Sequence, residues 1–94
     1  KDAYYFYKAN WNPEPMLHLC SARMTETTNA VFDVIGFCNA GTVTLELNGT
    51  KVGTQAPDAV KTVVWRGIRL VPGANRISLR VPKSGLVTEM RLVR

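Results

Sequence analysis

The chain has 94 residues, of which 46% are hydrophobic and 20% are charged, a composition typical of a small globular domain. This length allows one domain with a single two-layer core. No run approaches the roughly 18 apolar residues that a membrane span requires, and no secretory signal pattern is present. Because the chain opens at Lys1 in the middle of a patterned stretch, we expect it to be a fragment of a longer protein.

The net charge of +5 is unevenly distributed along the chain. Residues 1–60 hold four basic and six acidic side chains, whereas residues 61–94 hold eight basic side chains and one acidic side chain. The arginines of the basic part stand singly in strand-like runs, without a clustered run or an aromatic nucleic-acid motif. We therefore predict no nucleic-acid partner. The arginines in question are Arg66, Arg69, Arg76, Arg80, Arg91 and Arg94.

The two cysteines, Cys20 and Cys38, allow one disulfide, but each lies in a strand-like run where a small buried thiol is the favoured interpretation. Together with His18 they supply at most three soft ligands, and no CxxC spacing accompanies them. The sequence therefore predicts no metal site, and no motif in it predicts a cofactor.

The opening stretch AYYFYKANWNPEP, residues 3–15, concentrates the aromatic side chains. Its rings are Tyr4, Tyr5, Phe6, Tyr7 and Trp11. Consecutive side chains point in different directions on any regular backbone, so four adjacent rings cannot form one flat platform. We predict that this short helical or irregular segment, with a turn or two of helix at most within residues 2–9, packs its rings against other parts of the protein.

The sequence from residue 16 onward predicts short strands separated by turn residues. The first two are residues 16–20 and 30–38. In the second, Phe32, Val34 and Cys38 share one face, and the other face is also mostly apolar. Since an antiparallel sheet normally exposes one face to water, the second apolar face predicts cover from elsewhere.

Clean alternation marks two later strands, residues 42–49 and 76–81. Their inward side chains are predicted to be Val43, Leu45, Leu47, Ile77, Leu79 and Val81. Asn48-Gly49 predicts a tight hairpin turn into a short strand at residues 50–53. Residues 60–70 and 86–93 complete the set.

A bulge or bend is predicted at Gly67, inside the strand at residues 60–70. About seven strands at these turn spacings predict an all-β, immunoglobulin-like antiparallel β-sandwich. The pattern of two cysteines bracketing a tryptophan is missing, because Trp65 follows both cysteines.

Catalytic motifs are missing from the sequence. His18 is the only histidine, and it has no serine or carboxylate beside it in a recognisable motif. The seven acidic residues are scattered, and no phosphate loop, HExxH or GxSxG occurs. We predict that this chain has no catalytic residue. An alternative function is an autonomous carbohydrate-binding module, with Trp11 as the ring and Asn10 as a polar contact.

Two motifs resemble a known family. The first, residues 2–19, resembles the segment just after the catalytic barrel in bacterial family 2 glycoside hydrolases, the β-galactosidase group. The typical run of that family reads D-x-Y-Y-F-Y-K-S-x-W-x-x-x-P-x-L-H-L. The matching residues are Asp2, Tyr4, Tyr5, Phe6, Tyr7, Lys8, Trp11, Pro15, Leu17, His18 and Leu19. The second motif is similar to the family's S-N-C-D-x-V-E-L-F-L-N-G-K-x-L-G, matched by Asn39, Val43, Leu45, Leu47, Asn48, Gly49 and Gly53.

The resemblance implies a non-catalytic accessory domain of a β-galactosidase-like glycoside hydrolase. Residues 1–15 would be an aromatic junction to a preceding catalytic domain, and residues 16–94 would be the sandwich. The implied partner is the catalytic barrel of the same parent chain, with carbohydrate as a further candidate and no membrane. The expected interdomain contacts are Tyr4, Tyr5, Phe6, Tyr7 and Trp11. By the same resemblance, the parent enzyme is expected to be periplasmic or secreted.

Overall fold

One helix and seven strands make up the protein in a computed structural model that describes residues 2–94. They are α1 (Asp2–Trp11), β1 (Leu17–Leu19), β2 (Val31–Cys38), β3 (Val43–Leu47), β4 (Thr50–Gln55), β5 (Thr62–Arg69), β6 (Ala74–Val81) and β7 (Leu86–Val93). No helix in this part of the chain is long and apolar enough to cross a membrane.

The strands form two sheets that pack face to face. One sheet has the order β1-β2-β5 and the other has the order β4-β3-β6-β7, with antiparallel pairing throughout both. Sequential strands change sheets between β2 and β3, between β4 and β5 and between β5 and β6, as expected of an immunoglobulin-like sandwich. The predicted all-β class, sandwich and strand number are confirmed.

The core lies between the sheets and consists of the residues that alternation places inward. Ile77, Leu79 and Val81 on β6 are fully buried, as are Val43 and Leu45 on β3. Branched aliphatic side chains of this kind pack densely between pleated surfaces. The inward assignment of these positions is therefore confirmed.

The bulge predicted at Gly67 is present in β5. Phe32 pairs with Ile68 and Val34 with Trp65, so two residues of β5 oppose Asp33 of β2. Gly67 has φ of +65°, a left-handed conformation in which an added side chain would be strained. Its N–H donates to Asp33 Oδ1 at 2.8 Å, which fixes the bulge.

The structure differs from the sequence expectations in the length of helix α1 and at several strand ends, including the start of β5. Helix α1 runs for ten residues, not one or two turns. Strand β5 starts at Thr62, because Asp58 Oδ1 accepts the N–H groups of Val60 and Thr62 in a turn at 2.9–3.0 Å. Lys61 adopts φ of +64° in that turn.

Candidate functional site

The aromatic stretch is helical, and one side of α1 packs on the sandwich. The Tyr5 ring stacks on the His18 ring with centroids 3.8 Å apart. The Phe6 ring contacts the Phe37 ring of β2 edge to face, with centroids 5.5 Å apart. Ala9 of the same helix is buried. Positions five, six and nine share one helical side. The cover predicted for the second apolar face of β2 is thus supplied, at Phe37, by this helix.

The opposite side of α1 faces solvent and is also aromatic. Tyr4, Tyr7 and Trp11 are 63%, 65% and 68% exposed, and their spacing of three and four residues places them on one face. The Tyr7 and Trp11 rings lie 4.6 Å apart. With Lys8 and Pro13 at the rim, the three rings border an open, mostly apolar hollow of about 680 Å³. We call Tyr4, Tyr7 and Trp11 the outer ring face.

Two asparagines hold the helix and the chain after it against the sandwich. Asn10 Nδ2 donates to the Val60 carbonyl at 2.9 Å and to the Phe6 carbonyl at 3.0 Å. Asn39, just after β2, forms hydrogen bonds with the segment that links α1 to β1. Its Oδ1 accepts the Met16 N–H at 2.7 Å.

The Asn39 amide also donates, through Nδ2, to the carbonyls of Asn12 and Glu14 at 3.0 and 2.9 Å. One side chain thereby satisfies three backbone groups of a segment that has no ladder partner of its own. The orientation of α1, and of the outer ring face with it, is consequently fixed relative to the two sheets.

A polar cluster joins the start of α1 to β1. His18 Nε2–H donates to Asp2 Oδ1 at 2.8 Å, and the Cys20 thiol completes a group whose ligand atoms all lie within 4.8 Å of one another. Burial, with a further contribution from the Asp2 carboxylate, raises the pKa of the Cys20 thiol to about 12. The thiol is therefore protonated at neutral pH and is not an activated nucleophile.

Both cysteines are buried free thiols. Cys38 is fully buried and accepts the Ala40 N–H at 3.3 Å, while its own S–H is directed at the Gly41 carbonyl at 3.6 Å. The favoured interpretation of the cysteines as small buried thiols agrees with this geometry. Cys38 takes no part in the polar cluster with His18.

The arginines of the basic part do not converge on one site. Arg66 pairs with Asp33 at 3.3 Å and Arg80 with Glu46 at 3.5 Å. These pairs are exposed to water and contribute little to stability. Since Arg66 lies on β5 in one sheet and Arg80 on β6 in the other, the charges are distributed over both.

No protein-family model matches. A curated β-glucuronidase of Bacteroides fragilis is 38% identical over 90 residues, which cover 95% of this chain and 13% of that protein.

Solved structures give the same result. An FMN-binding β-glucuronidase from Faecalibacterium prausnitzii L2-6 is 29% identical with a TM-score of 0.85, over 99% of this chain and 14% of that one. A Bacteroides fragilis protein provisionally named a β-galactosidase is 26% identical with the same TM-score and the same coverage. The chain is homologous to one small domain of these glycoside hydrolases. It spans 13–14% of their length.

The family resemblance stated from the motifs is therefore confirmed, and the structure gives the glycosidase motifs a physical meaning. In the first motif, Asp2 and His18 bond to each other, and Tyr5 stacks on His18. In the second motif, Asn39 binds the segment after the helix. Residues of both motifs thus attach the aromatic helix and the segment after it to the sandwich.

Sequence reasoning identified the ring-bearing segment but missed two features of it. The split into an inward and an outward set required knowing that residues 2–11 are helical. The partners of His18 were also missed: Asp2 is 16 residues away in sequence, and the helix brings it beside the ring. One signal could have indicated this contact, because Asp2 and His18 both belong to the first family motif.

Proposed function

We propose that this chain is a non-catalytic docking domain, and that its outer ring face contacts the catalytic barrel of the same parent glycoside hydrolase. The observation that carries the proposal is the exposure of Tyr4, Tyr7 and Trp11 on one rigidly attached helix. Exposed rings in a contiguous group are typical of a surface that another protein covers. This chain matches only 13–14% of the length of its relatives, and the remaining 86–87% of those proteins supports a partner domain in the same parent chain.

The inward rings act differently in this proposal. Tyr5 and Phe6 attach the helix to the sandwich, so they orient the outer ring face and contact the barrel only indirectly. Of the five interdomain contacts expected from the sequence, Tyr4, Tyr7 and Trp11 are the ones we propose to touch the partner. The junction of residues 1–15 is then one body with the sandwich of residues 16–94, apart from Lys1, which lies outside the described residues.

Substitution in the parent enzyme tests the docking proposal. We expect Trp11→Ala, and more strongly Tyr7→Ala combined with Trp11→Ala, to lower the melting temperature of the full-length enzyme or its activity. Tyr5→Ala is expected to do so as well, through the attachment of the helix. Val87→Ala is the matched control, since Val87 is 51% exposed on β7 and not on the helix. Equal effects of the Trp11 and Val87 variants would contradict docking through the rings.

Carbohydrate binding is the second candidate, favoured by the paired rings of Tyr7 and Trp11 beside an open hollow. Flat apolar rings are a common surface for sugar stacking. Asn10 is a weaker contributor than Trp11, because its amide donates to two carbonyls of this chain. Calorimetry with lactose, galactans and glucuronides checks this candidate. Millimolar or tighter binding that Trp11→Ala abolishes would replace docking as the proposed function.

The absence of catalysis is proposed for this chain, not for its parent. At neutral pH the Cys20 thiol is protonated, and His18 is engaged with Asp2. Hydrolysis of a nitrophenyl galactoside or glucuronide by the purified 94-residue chain would contradict the proposal.

We also propose, from the family resemblance, that the parent enzyme is periplasmic or secreted. The relatives are bacterial glycosidases. Fractionation of cells that express the parent enzyme checks the location, and recovery in the cytoplasm alone would contradict it.

A further inference from the structure

We propose that Asp2, His18 and Cys20 form a Zn²⁺ site at the start of α1, with water as the fourth ligand. The carboxylate oxygen, imidazole nitrogen and thiol sulfur of these residues all lie within 4.8 Å of one another. Asp2 begins α1, whereas His18 lies on β1 and Cys20 directly after it, and the packing of the helix on β1 brings the three together. This site is separate from the outer ring face, so either proposal can fail without the other.

The distances suit a tetrahedral ion after a small adjustment. Zinc lies about 2.3 Å from sulfur and about 2.0–2.2 Å from nitrogen or oxygen, so the ligand atoms of a tetrahedral site are roughly 3.3–3.6 Å apart. Asp2 Oδ1 and His18 Nε2 are now 2.8 Å apart. Insertion of the ion requires Asp2 and His18 to separate by less than about 1 Å. The ligand atoms that are farthest apart, by up to 4.8 Å, must approach each other by about 1 Å. Asp2 is an exposed residue in the first turn of the helix and can make such a shift.

Two of the ligands are already held in place by other contacts. The His18 ring is stacked on Tyr5 at 3.8 Å, and the Cys20 N–H donates to the Ile35 carbonyl at 2.9 Å. Cys20 directly follows β1, two residues after His18, and its sulfur lies within 4.8 Å of the His18 and Asp2 ligand atoms. Preorganised ligands of this kind reduce the ordering cost of metal binding.

The hollow outside the cluster gives the ion access to solvent. It has a volume of about 530 Å³ and is bordered by Ser21 and Arg23 in addition to the ligands Asp2 and His18. Water from this hollow supplies the fourth ligand of an open, three-residue zinc site.

The donor set selects the metal. One sulfur, one imidazole nitrogen and one carboxylate oxygen suit Zn²⁺, whereas Mg²⁺ and Ca²⁺ require oxygen ligands. On binding, the Cys20 thiol releases its proton to solvent and binds as thiolate. The neutral His18 ring changes tautomer: its single proton moves through solvent from Nε2 to Nδ1, and the freed Nε2 lone pair binds the metal. The hydrogen bond to Asp2 is thereby exchanged for metal bonds. No group is oxidised or reduced.

Cobalt(II) provides a spectroscopic test, because it replaces zinc and a cobalt–thiolate bond gives an ultraviolet charge-transfer band. We expect the 94-residue chain to develop this band to a 1:1 endpoint and to lose it when Zn²⁺ is added. Cys20→Ser should abolish the band. Cys38→Ser, the matched control at the other buried free thiol, should retain it.

Loss of the band in Cys20→Ser could also arise from misfolding, so a second variant is needed. Asp2→Asn should fold normally, since Asp2 is exposed and the amide oxygen still accepts the His18 hydrogen bond. We expect this variant to keep the circular dichroism of the parent chain and to bind Co²⁺ more weakly, by more than the roughly 10–100-fold typical of changes outside the ligand shell. Absence of the band in the unmodified chain, or unchanged affinity in Cys20→Ser or Asp2→Asn, would overturn the proposal.

Discussion

The two sides of helix α1 carry similar aromatic side chains in opposite environments. Tyr5 and Phe6 are half-buried against β1 and β2, whereas Tyr7 and Trp11 are about two-thirds exposed and contact mainly each other. The difference arises from the helical repeat, because positions separated by three or four residues share a side. Residue type alone therefore does not decide which rings stabilise this domain and which are available to a partner.

This contrast also separates two kinds of experiment. Changes on the inward side are expected to alter the stability of the 94-residue chain by itself. Changes on the outer ring face are expected to matter only when a partner is present. Phe6→Ala changes the inward side and Trp11→Ala changes the outer ring face, whereas Asn39→Ala changes the attachment of the segment after the helix.

The largest effect on the chain by itself is expected for Phe6→Ala. Loss of a fully buried phenylalanine costs about 3–5 kcal/mol, and Phe6 is half-buried against Phe37. We expect the free energy of unfolding to fall by about 2 kcal/mol, measured by urea denaturation. Tyr7→Ala, one residue further along the helix, is the control and should change little. If both variants lost equal stability, the assignment of the two sides would be wrong.

A smaller loss is expected for Asn39→Ala, which removes the partner of three backbone groups. We expect a decrease of about 1–2 kcal/mol in the free energy of unfolding and faster hydrogen exchange at the Met16 amide, which Asn39 Oδ1 binds. Asn39→Asp retains that acceptor but cannot donate to Asn12 and Glu14, so its loss should be intermediate. Unchanged exchange at Met16 in the alanine variant would show that Asn39 does not hold the segment.

The smallest effect is expected for Trp11→Ala in the 94-residue chain. Exposed positions without buried contacts usually tolerate substitution within about 0.5 kcal/mol, and Trp11 is 68% exposed. Urea denaturation measures this directly. A loss above about 1 kcal/mol would mean that the contact between Tyr7 and Trp11 stabilises the helix itself. It would then count against the outer ring face as a surface for a partner.

The strands were predictable because their signal is local. Alternation fixed the inward residues of β3 and β6, Asn48-Gly49 fixed the hairpin, and Gly67 marked the bulge. Each depends on neighbours within a few residues. Thr44 and Ser78 are exceptions, because both alternate outward and yet are buried. Ser78 bonds to Glu89 on the adjacent strand at 3.3 Å.

The full length of α1 was not predictable in the same way. Aromatic residues are mediocre helix formers, and rings on both sides hide the usual periodicity of an amphipathic helix. The helix depends on long-range contacts, from Phe6 to Phe37 and from Asn10 to Val60, which no local pattern contains. The cluster of Asp2, His18 and Cys20 escaped prediction for the same reason, since it exists only after the helix has packed.

Hydroxyl-radical footprinting of the outer ring face is the most direct test of docking. Oxidation of Tyr4, Tyr7 and Trp11 would be quantified by mass spectrometry in the full-length parent enzyme and in the 94-residue chain. Met24, which is 42% exposed and is not part of the helix, is the internal reference. We predict several-fold protection of the three rings in the parent enzyme with no change at Met24. Equal oxidation of the rings in both proteins would contradict the docking account.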